Sequence, residues 1–145
     1  SAASDVYKRQ TGNALVSQEL QERVRDLTDS FGSTFDIAEK DFDTFTALAG
    51  SSPAYIYLFI EALAKAGVKN GIPKAKALEI VTQTVLASAN NLLASSQSPH
   101  DFIDAICSPG GTTIAGLLEL ERLGLTATVS SAIDKTIDKA KQLQK

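Results

Sequence analysis

The chain has 145 residues, of which 43% are hydrophobic and 21% are charged, a composition typical of one ordinary globular domain. Its formal net charge of −3 gives no electrostatic reason to bind nucleic acid or an anionic membrane. The single cysteine, Cys107, excludes an internal disulfide and favours the cytoplasm. The most apolar stretch, 54–60, is too short to span a bilayer, and no secretion signal is recognisable, so we expect no membrane partner.

The first part of the chain is predicted to contribute little to the fold. Residues 1–16 are interpreted as a disordered tail or a non-native extension, because 1–10 show no hydrophobic period. Ser17 is suited to cap a first helix that ends at Gly32. Phe35 and Ile37 then alternate with polar neighbours, which predicts a short strand with no partner strand in the chain.

The remainder of the chain is predicted to be helical, with prolines at the helix starts. Serine caps a helix through its hydroxyl, and proline suits the first helical position because no donor is needed there. A short helix is expected over 41–48 and another near Thr126. Longer helices are expected to start at about Pro53, Pro73, Pro99 and Pro109, three of which follow a serine.

The predicted helix 53–66 is apolar nearly all round, and only Glu61 and Lys65 offer it a charged surface. A helix on the surface of a globular protein shows one polar face. This helix is therefore expected to be either the centre of a bundle or buried against a second chain.

The segment Ser108-Pro109-Gly110-Gly111-Thr112-Thr113 is the strongest candidate for a binding site. Two glycines in the first turn of a helix each cost roughly 1 kcal/mol relative to alanine, which is tolerated where a ligand must approach the backbone. Unpaired N–H groups and the helix dipole favour a carboxylate or phosphate there. The alternative is a plain serine–proline helix start followed by a flexible turn, and the residues alone leave both readings open.

Three segments in sequence order resemble pyrroline-5-carboxylate reductases. The first is 47–55, Ala-Leu-Ala-Gly-Ser-Ser-Pro-Ala-Tyr, where the family usually has glycine in place of Ser52. The second is 67–73, Gly-Val-Lys-Asn-Gly-Ile-Pro, and the third is 108–116 followed by Leu120-Glu121 and Gly124. The similarity runs over roughly 17–145 without large gaps, and three motifs together are a specific signal.

The resemblance implies an enzyme family that reduces the C=N bond of 1-pyrroline-5-carboxylate with NAD(P)H to give proline. If the roles known in the family apply here, the substrate carboxylate would be bound by Ser108, by Gly110 and by the N–H groups of Gly111 and Thr112. Thr113 would be the catalytic residue and would hydrogen-bond the ring nitrogen. Some family members have an acidic residue about twelve positions before this serine; Ser96 stands there, which puts acid-assisted protonation in doubt.

The resemblance also implies a fold. It is all-α, a helical bundle of the dimerisation-domain type found in this family and in the C-terminal part of 6-phosphogluconate dehydrogenase. Residues 17–44 would be the remnant of a Rossmann domain, and 45–145 would bind substrate and form a homodimer through interlocked helices, with rings of dimers also known in the family. No G-x-G-x-x-G motif occurs, so we expect no cofactor site in this chain.

Other polar residues are interpreted as structural. His100 stands in the first turn of a helix, Cys107 has no partner to activate it, and the carboxylates around Asp41 resemble a solvated loop and not a metal site. Two functions remain: the substrate-binding half of a reductase, inactive alone, or a non-enzymatic helical dimerisation module.

Overall fold

The computed structural model describes residues 7–10, 12, 15–30 and 32–143. They form two compact units. The first contains the described residues up to Tyr55 together with those from Ser130 onwards, and the second runs from Ile56 to Val129. The predicted division at 16/17 and 44/45 stays a prediction.

The first unit begins with a βαβ arrangement. Strand β1 (Tyr7–Gln10) pairs in parallel with β2 (Ser33–Asp36), so that Gln10 lies opposite Asp36. Helix α1 (Gln18–Asp29) makes the crossover that a parallel pair requires. The prediction of an unpaired strand was therefore wrong, and so was the interpretation of 7–10 as tail. Strands pair through backbone groups, which need no hydrophobic alternation.

Helix α1 is capped as the sequence predicts. The Leu20 N–H donates to Ser17 Oγ over 3.3 Å. The helix ends at Asp29, before the predicted end at Gly32, whose φ of 147° is outside the helical region. The apolar stripe of α1 remains uncovered in this chain, since Leu20 is 51% exposed and Leu27 is 64% exposed.

A single helical run extends from Glu39 to Lys69, so the predicted break before Pro53 does not occur. Proline lacks an N–H, and a π-helical turn precedes it: the Ser52 N–H donates to the Ala47 carbonyl, and the Ser52 hydroxyl donates to the Leu48 carbonyl. In order, the run consists of a 3₁₀ turn (Glu39–Asp41), α2 (Phe42–Phe45), the π turn (Thr46–Ser51) and α3 (Ser52–Lys69).

Within the described residues, this run is the one helix long and apolar enough to cross a membrane by length and composition. Its best 18-residue window has a mean hydropathy of 1.2 and is 11% buried. The short apolar stretch 54–60 was the reason to expect no membrane span. That reason does not hold for the longer helix that contains it. A helix that another protein surface covers meets the same criterion, so composition alone does not decide between the two.

The second unit contains most of α3 and the helices that follow it. The predicted starts at Pro99 and near Thr126 are confirmed, and α4 begins directly after Pro73. The prediction for Pro109 was wrong, because that helix begins only at Thr112. The helices are α4 (Lys74–Leu93), α5 (Pro99–Ile106), α6 (Thr112–Arg122) and α7 (Leu125–Leu143), the last of which continues into the first unit.

The α3–α4 hairpin is closely packed at its turn. A Cβ on Gly67 would lie 3.1 Å from the Ala77 Cβ, so only glycine allows this approach without a shift. Lys74 Nζ lies 2.5 Å from a carboxylate oxygen of Glu61. The hydrogen bond from Lys74 lowers the pKa of Glu61, and the charge of Lys65 acts in the same direction.

Little of the second unit's apolar surface is covered by the chain itself. Among the described hydrophobic residues, those that are buried are three alanines, Ala47, Ala64 and Ala77. On α3, Tyr57 is 71% exposed and Leu58 is 70% exposed. The helix is thus not the centre of a bundle within one chain, which leaves a second chain as the sequence-based alternative.

Candidate anion site at the start of α6

Residues 108–111 form a turn between α5 and α6. The Ser108 N–H donates to the Ile106 carbonyl (3.2 Å), and the Gly111 N–H donates to the Ser108 carbonyl (3.0 Å). Gly110 has a φ of 69°, in the left-handed region that glycine adopts readily. The prediction that both glycines lie in the first helical turn was therefore wrong, since a left-handed residue cannot continue a right-handed helix.

Helix α6 begins without a side-chain cap. Gly111 is the N-cap residue, with φ −76° and ψ 171°, and it has no side chain to accept a hydrogen bond. The first intrahelical bond links the Ala115 N–H to the Gly111 carbonyl. Among the described residues, the N–H groups of Thr112, Thr113 and Ile114 have no acceptor. These are the free donors that a carboxylate binds at a helix N-terminus.

The hydroxyl of Ser108 lies directly beside this helix start. A Cβ on Gly111 would clash with Ser108 Oγ and lie 3.1 Å from the Ser108 carbonyl oxygen, so a larger residue requires the serine side chain to rotate and the turn to shift slightly. In the part of the chain that the structure covers, the hydroxyls of Ser108, Thr112 and Thr113 form no hydrogen bond. Free hydroxyls and free N–H groups therefore occur in one short segment.

The structure brings the predicted site residues together on this turn and the first turn of α6, where all except the half-buried Gly111 are exposed. One detail differs: the Gly111 N–H already donates within the turn, so the donors for an anion are the N–H groups of Thr112, Thr113 and Ile114. Sequence reasoning missed Ile114. The Pro-Gly-Gly run, which favours a turn, was the signal that would have moved the helix start to Thr112.

The start of α5 offers no comparable site. Ser98 Oγ accepts the Asp101 N–H (3.3 Å), and the Asp101 carboxylate accepts the Ser98 N–H (2.7 Å). The hydrogen bond from the Ser98 hydroxyl lowers the pKa of Asp101. Because this capping box pairs the N–H groups of Ser98 and Asp101 with side chains of the same helix start, these two residues serve the helix. No cluster of three metal-ligating side chains occurs within the described ranges.

The βαβ arrangement of the first unit borders a cavity of about 510 Å³. Asp36, at the end of β2, is paired with Arg25 and accepts a hydrogen bond from Gln10 Nε2 (3.1 Å). A Cβ on Gly12, between β1 and α1, would lie within 3.0 Å of the flexible end of the Gln21 side chain. That the chain holds no cofactor stays a prediction.

Comparison with known proteins identifies relatives. The model of the pyrroline-5-carboxylate reductase dimerisation family matches residues 39–143. The pyrroline-5-carboxylate reductase of Aquifex aeolicus is 44% identical over 133 residues, covering 92% of this chain and 50% of that protein. The Escherichia coli enzyme of the same name is 40% identical over 135 residues, again covering 50% of its length. The chain thus spans about half the length of the curated relatives it matches.

Solved structures agree with the sequence matches. The 1-pyrroline-5-carboxylate reductase of Streptococcus pyogenes superimposes with a TM-score of 0.86 at 93% identity, covering 92% of this chain and 52% of that one. A Plasmodium falciparum pyrroline carboxylate reductase with NADP bound superimposes with a TM-score of 0.83 at 38% identity. The mostly helical architecture predicted from the resemblance is confirmed. The chain belongs to the pyrroline-5-carboxylate reductase dimerisation family.

Proposed function

We propose that this chain is the substrate-binding and dimerisation part of an enzyme of proline biosynthesis. The whole enzyme reduces 1-pyrroline-5-carboxylate to L-proline with NAD(P)H. The observation that carries the proposal is the start of α6, where N–H groups without an acceptor lie beside the free Ser108 hydroxyl. The chain that contains it belongs to this family.

The substrate carboxylate binds at the start of α6. The N–H groups of Thr112 and Thr113 and the Ser108 hydroxyl donate hydrogen bonds to it, and the positive end of the helix dipole adds to the attraction. Gly110 gives the turn its shape, and Gly111 keeps the space beside Ser108 open. The site binds the anion without a basic side chain, so its affinity depends on the geometry of the turn.

Thr113 is the catalytic residue in this proposal. Its hydroxyl hydrogen-bonds the ring nitrogen of the substrate, which gains a proton when the C=N bond is reduced. Ser96, at the position where some relatives have an acid, lies outside the helices and carries no charge. When bound, NAD(P)H supplies the hydride.

The chain assembles as a homodimer of interlocked helices. The support is the apolar surface of α3, where Tyr57 and Leu58 are largely exposed in one chain. Burying one such side chain at an interface contributes about 1.5–3 kcal/mol, and homodimer interfaces are enriched in apolar residues. With a single cysteine and a reductase function, we place the enzyme in the cytoplasm.

Light scattering tests this assembly. The wild-type chain is expected to be a dimer at micromolar concentration. Leu58→Lys places a charge on the α3 surface and should raise the dimer dissociation constant at least about tenfold, equivalent to about 1.4 kcal/mol. Leu27→Lys is the matched control, because Leu27 is similarly exposed but lies on α1. A well-folded wild-type monomer would contradict the proposal.

The second candidate is a non-enzymatic dimerisation module that keeps the fold without chemistry. It is favoured by the lack of a G-x-G-x-x-G phosphate-binding motif in the sequence. Calorimetry with L-proline separates the two candidates. Binding that disappears in Gly111→Val supports a working substrate site, whereas a wild-type chain that binds nothing supports the module.

A further inference from the structure

A cavity within the first unit contains none of the residues of the candidate anion site. It has a volume of about 490 Å³ and is bordered by the region around the π turn and by the C-terminal half of α7. This volume is in the range of pockets that bind small organic molecules. π turns inside helices occur frequently at functional sites.

The polar groups at the base of this cavity bond to each other. Tyr55 Oη lies 2.5 Å from Thr136 Oγ1, and Thr136 Oγ1 donates to the Ala132 carbonyl over 2.9 Å. Because the threonine has one hydroxyl hydrogen, Tyr55 is the donor and Thr136 the acceptor. The hydroxyl hydrogens of Tyr55 and Thr136 are therefore used within the chain, beside the fully buried Ala47.

Two lysines provide the charge on the wall. Lys135 and Lys139 both line the cavity and are one helical turn apart on α7. Neither forms a salt bridge in the described part of the chain. Like charges at this spacing destabilise a helix by about 0.2–0.5 kcal/mol. Asp43 is the one described carboxylate among the lining residues, so positive charge is in excess.

We propose that this cavity binds a small carboxylate with a compact apolar body. The apolar part lies on the floor formed by Ala47, Ala132 and Ala140, and the carboxylate faces Lys135 and Lys139. This arrangement matches the division of most ligand pockets into an apolar lining and a few charged groups that fix orientation. The site contains none of the residues proposed to bind 1-pyrroline-5-carboxylate.

Fluorine NMR on the full chain tests the proposal with two probes, 4-fluorophenylacetate and its neutral analogue 4-fluorophenylacetamide. The wild-type chain is expected to bind the carboxylate at least about threefold more tightly than the amide, as an exposed ion pair allows. The double variant Lys135→Gln/Lys139→Gln should lose that preference. Lys141→Gln, which changes a lysine of α7 outside the lining, should keep it.

Ala140→Leu fills the cavity and should weaken both probes. If it impairs folding, the double lysine variant still decides the question, because both lysines are exposed. Three results would overturn the proposal. The first is no binding at millimolar concentration, as when a second copy covers the cavity, and the second is equal preference in the wild type and the double variant. The third is loss of probe binding in Gly111→Val, which would place the probe at α6.

Discussion

Two serine–proline segments of this chain begin alike and end in different structures. At Ser98-Pro99 the helix begins at the proline, and Asp101 closes a capping box with the serine. At Ser108-Pro109 the chain makes a turn, and helix α6 begins only at Thr112. The same dipeptide is thus a closed helix start in one place and an open one in the other.

The residues that follow the proline make the difference. At α5 the Ser98 hydroxyl oxygen accepts the Asp101 N–H and the Ser98 carbonyl accepts the Phe102 N–H, so most of the first-turn donors are used within the helix. Gly110 and Gly111 supply no side chain, and the left-handed φ of Gly110 turns the backbone away from the helical path. We infer that α5 uses its serine for stability, whereas α6 leaves its donors for a ligand.

The largest expected effect comes from Gly111→Val. The new Cβ would displace the Ser108 hydroxyl from its position beside the helix start and press on the Ser108 carbonyl, so a donor is lost and the turn shifts. We expect binding of L-proline to weaken at least about a hundredfold, equivalent to about 2.7 kcal/mol. Calorimetry measures the effect, and circular dichroism checks that the helices persist.

Gly116→Ala is the control for that variant. Gly116 is inside α6, and a Cβ there meets nothing within 4 Å. Alanine is a better helix former than glycine by up to about 1 kcal/mol, so this variant should be more stable and should bind L-proline unchanged. A comparable loss of binding in both glycine variants would contradict a specific role for Gly111.

Exchanging the two serines for alanine tests the comparison directly. Ser108→Ala removes a hydroxyl that faces the ligand and should weaken L-proline binding about tenfold, with little change in thermal stability. Ser98→Ala removes an N-cap and should lower the free energy of unfolding by about 1 kcal/mol, with binding unchanged. If both variants changed only L-proline binding, or only stability, the helix starts of α5 and α6 would not have different roles.

Thr113→Val separates substrate binding from chemistry. Valine keeps the shape and the backbone N–H but loses the hydroxyl, so carboxylate binding should change by less than about threefold. In the full-length enzyme, kcat should fall by about tenfold or more, because the bond to the ring nitrogen is lost. A fall in affinity as large as that of Ser108→Ala would assign Thr113 to the carboxylate.

The smallest expected effect is the pH dependence of the stability that the capping box gives to α5. The pKa of Asp101 is lowered by its bond to Ser98, so its stabilisation is present above the ordinary aspartate pKa of about 4. It is lost as the pH falls through the lowered value. The difference in melting temperature between wild type and Asp101→Asn should therefore be larger at pH 7 than at pH 3. A constant difference would show that the charge of Asp101 does not contribute.

Much of the fold followed from local sequence signals. The caps at Ser17 and Ser98 were predicted because serine side chains act on the next turn of the same helix. The break at Pro53 was predicted wrongly, since a π turn lets the helix continue past the proline. The pairing of 7–10 with β2 was missed because it joins distant residues through the backbone.

The candidate site was predicted as a segment but not as a geometry. The sequence identified 108–113, and the family resemblance assigned roles to those residues. The sequence could not show that the Gly111 N–H donates to the Ser108 carbonyl inside the turn, because this hydrogen bond depends on the φ of Gly110. Likewise, the apolar character of α3 indicated burial, but only the exposure of Tyr57 and Leu58 points to a partner chain.

The most direct test is to follow the backbone amides during titration with tetrahydro-2-furoate, a cyclic carboxylate, by nitrogen–proton NMR. The account predicts saturable shifts for the amides of Thr112 and Thr113 at the start of α6. The amides of Asp101 and Phe102, at the closed start of α5, should not shift. Shifts of equal size at both helix starts, or no shift at either, would contradict the claim that the open start of α6 binds the carboxylate.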